Sequence, residues 1–127
     1  MTTFTESRRA LEFLAWEVNP QFSRDEVTLT ASQGALKAGT VMAKVTGTGN
    51  FVPYDDDANA GTAGVGIAAG VLCYDVADSA STQKIVIVVR SAIVEQDLLV
   101  WEASNDTTEK NAGIAELNAL GVLVRAS

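Results

Sequence analysis

The segment from Lys84 to Arg90 constrains this chain more than any other, because between its charged ends lie Ile-Val-Ile-Val-Val, apolar and β-branched without a break. Such side chains are stiff at χ1 and pack well on a pleated surface, so the run is a strand. It lacks the polar-apolar alternation of a strand with one wet face, and both of its faces are expected to be buried in a central position. Shorter candidates surround it. Residues 26–30 alternate as a half-buried strand does, and residues 40–46 form a second strand. After a turn at 47–50 the chain continues through 51–54 to an exposed loop marked by Asp55, Asp56, Asp57, Asn59 and Gly61. Small residues crowd around Val65, Ile67, Val71 and Leu72, so a strand there is expected to approach another backbone closely or to carry a bulge. Residues 92–94, 98–101 and 122–125 complete the strand set.

One helix is expected. Asp106, followed three residues later by Glu109, can satisfy free N–H groups at a helix start, and Gly121 can close the helix after Leu120. The spacing predicts a helix near 107–120, about three turns long. The N-terminal stretch reads differently. Leu11, Phe13, Leu14, Trp16 and Val18 follow neither helical spacing nor strict alternation, and Asn19-Pro20 then breaks the chain. Residues 1–22 are expected to be an extended arm, flexible until a partner surface orders it, ahead of a β-rich domain over 23–127. A short amphipathic helix folded back on the domain is the competing reading, since Leu11, Leu14 and Val18 fall three and four apart.

Chemistry is sparse. The chain contains no histidine, which removes the commonest general base and metal ligand and every imidazole-dependent triad. Asp55, Asp56, Asp57, Asp75 and Asp78 lie in turn-like segments, where solvated loops are the expectation rather than acid-base pairs. Asp55, Asp57 and Asn59 have the spacing of the first calcium ligands of an EF-hand loop. Ala60 stands where its turn glycine belongs, though, and Gly66 where its bidentate glutamate belongs. The glycine-rich stretch 61–70 lacks the Gly-Lys-Ser/Thr ending of a phosphate loop. No catalytic residue, metal site or cofactor is expected. Cys73 is the single cysteine and lies between Leu72 and Tyr74, which points to a buried, inert thiol.

A net charge of −7 repels nucleic acid, and Arg8-Arg9 is the only adjacent basic pair. Thr, Glu and Ser near the start do not make a secretory signal, and no apolar stretch is long enough to span a bilayer. The product is expected to stay in the cytoplasm where it is made, with no nucleic-acid, membrane or small-molecule partner.

Several segments together resemble a known family. They are Glu12-Phe-Leu, Ser23 to Leu29, Leu36 to Val41 leading to Val52-Pro-Tyr54, Ala63 to Leu72, Val88-Val-Arg90, and Lys110 to Arg125. Their order and spacing resemble the bacteriophage head decoration proteins of the phage lambda type. The sequence departs from that pattern at Glu102, where proline commonly follows the tryptophan, and in the acidity of residues 55–57.

The resemblance implies a mainly β, β-clip-like (β-tulip) domain with one short C-terminal helix, assembled as a homotrimer on local threefold axes outside the expanded phage head. It implies a non-enzymatic protein that binds the major capsid protein and cements the virion against internal DNA pressure. Arm residues Phe4, Leu11, Phe13, Leu14, Trp16 and Val18 are then expected to contact the capsid. The trimer interface is not legible in the sequence. The rival reading is a small β-barrel that binds a ligand or peptide in a groove near the glycine-rich strand.

Overall fold

The structure, a computed structural model, describes residues 13–55, 66–102 and 105–126. Among these residues eight strands and two α-helices follow one another as β1 (Leu14–Glu17), α1 (Pro20–Ser23), β2 (Arg24–Leu29), β3 (Val41–Lys44), β4 (Phe51–Pro53), β5 (Ala68–Leu72), β6 (Gln83–Val88), β7 (Ala92–Glu95), α2 (Thr107–Leu120) and β8 (Val122–Arg125). The protein is mainly β with one long C-terminal helix. Strands β2, β4, β3, β5 and β6 close into a barrel in that order, and β1, β7 and β8 form a separate three-stranded sheet with β7 in the middle.

Strand β6 explains its own sequence. It pairs antiparallel with β2 along its whole length and with β5 at its end. Ile85 and Ile87 join Leu29, Met42, Phe51 and Leu72 in a cluster to which every barrel strand contributes, which is the barrel interior. Val86 and Val88 face the other way, into a second cluster with Phe13, Val41, Val71, Val94, Leu117 and Val122. The barrel wall is thus covered on its outside by the three-stranded sheet and α2, and an unbroken apolar run is what two buried faces require.

The small residues of β5 have a steric reason. A Cβ on Gly70 would stand 2.9 Å from the carbonyl oxygen of Val88 and 3.0 Å from Cδ1 of Ile87. The β3–β5 register also shifts between Met42 and Ala43, so this strand shows both the close approach and the bulge. The N–H of Ala68 donates to Oε1 of Glu116 at 2.9 Å, tying the strand to α2.

Helix α2 begins as expected. The Asp106 side chain accepts from the Glu109 N–H, and the Glu109 side chain accepts from the Asp106 N–H, a complete capping box. It runs for 14 residues and ends at Gly121 in the left-handed conformation, φ 91°. Tyr54 fastens it to the barrel. Its hydroxyl donates to the Glu109 carbonyl at 2.8 Å, and its ring meets Trp101 edge-on with centroids 5.8 Å apart.

Two expectations are corrected. Residues 98–101 are not a strand: Gln96–Leu98 form a 3₁₀ turn, Leu99 is buried, and only Val100 makes a bridge, to Thr40. The extended arm expected over 1–22 is the second. From Phe13 onward this segment belongs to the body: Phe13 is 0% exposed, β1 pairs with β7, and Pro20–Ser23 form a short helix capped by Asn19. Residues 1–12 lie outside the described residues.

Candidate docking surface

The pairing register of the three-stranded sheet decides which side chains it shows to solvent. Trp16 stands opposite Ile93, and Ile93 opposite Leu123. Because neighbouring residues along a strand point to opposite faces, Ala92, Val94 and Val122 go inward, and Ile93 and Leu123 go outward. Trp16 is 53% exposed and Leu123 47%, with Ile93 half-buried between them. Val18, 55% exposed, lies at the Ser91 end of the same strand pair, where its N–H donates to the Ser91 carbonyl. The outer face of this sheet therefore carries an apolar row across all of its strands.

Its charged groups are few and balanced. Glu95 and Arg125 are register partners at one end of the face. Ala15, Trp16, Ile93, Glu95, Arg125 and Ala126 line a shallow groove of about 210 Å³ there. Glu17, the register partner of the inward Ala92, is on the opposite side of β1 from Trp16, and there Arg24 grips it with two hydrogen bonds, at 2.6 and 3.0 Å. The hydrogen bond to Glu17 holds the Arg24 guanidinium above its ordinary pKa. Phe22, 52% exposed, lies 5.5 Å beneath the Arg90 guanidinium. Arg90 in turn donates to the Phe22 carbonyl and pairs with Asp25 at 2.9 Å.

Of the residues expected to contact the capsid, Phe4 and Leu11 lie outside the described residues. Phe13 is a core residue, and Leu14 is partly buried against the same core. Trp16 and Val18 are exposed. Ile93 and Leu123, which complete the face with them, were missed in the sequence. The alternation of 122–125 puts Leu123 outward, which was a usable signal, but only the strand register shows that it meets Trp16 through Ile93.

The remaining polar candidates hold loops. Asp75 accepts from the Ala38 N–H at 2.8 Å and Asp78 from the Gly34 N–H at 3.0 Å. The acidic stretch 56–57, with Asn59, lies outside the described residues, and no cluster of His, Cys, Asp or Glu suited to a metal occurs among the described ones. Cys73 is fully buried, and burial pushes its thiol up to about 12. A second groove of about 180 Å³ is lined by Leu36, Lys37, Thr40, Val100, Trp101 and Glu102. No helix among the described residues is long and apolar enough to cross a membrane.

The described residues thus form a closed barrel, a helix that braces it, and a separate sheet whose outer face carries an apolar row. The profile of the family described as Bacteriophage lambda head decoration protein D matches residues 3–122, nearly the whole chain. The chain belongs to that family, whose members are structural components of phage capsids. A comparison with curated proteins gives no match.

Proposed function

We propose that this protein is a cementing component of a tailed-phage virion, a homotrimer of β-clip type that sits on the outer surface of the expanded head at local threefold axes. There it binds the major capsid protein and stabilises the shell against the pressure of packaged DNA. The observation that carries the proposal is the family match over residues 3–122. Trimerisation has a physical logic in this role, because each contact surface reaches the shell in several linked copies and weak contacts multiply. The acidic charge of −7 suits a protein that works outside the shell, away from the nucleic acid within.

The test is to mix purified protein with expanded, undecorated heads of its own phage and count bound copies. Full-length chain and a version lacking residues 1–12 should be compared. Truncation at 12 leaves Phe13 and β1 in place, whereas a cut at residue 20 would remove part of the core. Binding of the full chain at threefold positions, with weaker binding by the truncation, supports both cementing and a role for Phe4 and Leu11. Failure of the full chain to bind refutes the proposal.

A further inference from the structure

We infer that the outer face of the β1-β7-β8 sheet is a docking surface for the shell protein, carried by the folded body rather than by residues 1–12. This rests on the decoration reading above. The row Trp16, Ile93 and Leu123 is in register across every strand of the sheet. Paired strands stand about 4.8 Å apart, so the row makes an apolar strip about 10 Å wide. Val18 lengthens it. Single exposed apolar residues are ordinary on any surface, but a contiguous strip marks a place of contact.

Connectivity favours the shell as the occupant. Residues 1–12 join the fold at Phe13, directly before β1, and the chain's last strand, β8, lies in the same sheet. An N-terminal segment held by the shell would therefore bring this sheet close to it. The size of the strip agrees. Three strands of four residues offer far less than the roughly 800 Å² per partner of a stable free complex. A surface that small does not hold two free chains of charge −7 together, but it adds usefully to other contacts on a fixed lattice. The partner chemistry is an apolar ridge. The groove beside Trp16 accepts one of its side chains, and the opposed Glu95 and Arg125 leave the face without net charge to repel it.

The experiment uses the full chain and expanded, undecorated heads of its own phage. Trp16→Gln and Leu123→Gln alter the face, and Ile67→Gln, at an exposed position ahead of β5, is the control. All three sites are exposed, so melting temperatures should match the wild type. Trp16→Gln and Leu123→Gln should each weaken head binding roughly tenfold to hundredfold, with Ile67→Gln unchanged and the sedimentation of free protein unaltered. Wild-type binding with equal binding by both face variants overturns this inference and leaves the decoration reading standing. Face variants that change the association state of free protein overturn it too, because the strip is then a contact between copies. If the wild type itself does not bind, the decoration reading falls and this inference with it.

Discussion

Replacing Gly70 by alanine sets two effects of opposite sign against each other. Alanine restricts the unfolded chain and favours a strand over glycine by roughly 0.5–1 kcal/mol. Gly70 shows no positive φ, so nothing in the backbone conformation opposes the change. Space does. The new Cβ would lie 2.9 Å from the Val88 carbonyl oxygen, 3.0 Å from Cδ1 of Ile87 and 3.3 Å from Cγ1 of Val89. The nearest of these atoms is backbone, held in the β6 ladder between β2 and β5. It cannot turn aside as a side-chain tip would, so β5 and β6 must part by several tenths of an ångström. Overpacking of that kind costs typically about 1–3 kcal/mol, and the net expectation is a loss of about 1–2 kcal/mol. Urea unfolding at a fixed protein concentration measures it, as a lower midpoint with an unchanged slope. A midpoint equal to or above that of the wild type would show that the barrel yields there, and would refute the close-packing account of the small residues in β5.

Phe13→Ala should destabilise the fold by about 3–5 kcal/mol, the usual result for a buried aromatic, whereas a residue of a free arm would leave the midpoint where it was. Asp106→Ala removes half of the capping box and should cost about 1 kcal/mol, read in the same assay. The Cys73 thiol gives a pH dependence of known sign. Its pKa of about 12 in the fold lies above its ordinary 9.0, so the unfolded chain releases the proton first. Its contribution is complete below pH 9 and is lost as pH rises from there toward 12, at about 1.4 kcal/mol per unit. Between pH 9 and about 10.5 the wild type should lose about 2 kcal/mol more than Cys73→Ala, and equal losses in the two proteins would contradict the assignment.

Where the sequence could be read, local chemistry and burial pointed the same way. Strand β6, the capping box at Asp106 and Glu109, the glycine stop at 121 and strand β8 each carry their signal within a few residues. The arm is where such reading failed. A register shift between Leu14 and Trp16 turns Ala15 and Trp16 both toward solvent, which breaks the period of two by which a strand is recognised. Phe13 and Leu14 therefore looked like surplus apolar residues, although they reach the core. Residues 98–101 failed in the opposite sense. Their composition suits a strand, but Leu99 is drawn into the core and only Val100 finds a bridge partner. The docking face itself depends on which strands become neighbours, and β1, β7 and β8 come from opposite ends of the chain. No local pattern encodes that.

The same pairing of distant segments bears on how the protein is made. Arg24 finds its partner at Val88, Leu14 at Val94, and β7 must still receive β8 from beyond α2. Both sheets wait for loop closures of long span, so folding should be slow. The barrel can close once β6 is available, while the three-stranded sheet cannot be completed until β8 arrives. The surface that carries Trp16, Ile93 and Leu123 is thus completed only after the barrel strands are in hand, and an incompletely folded chain would lack it.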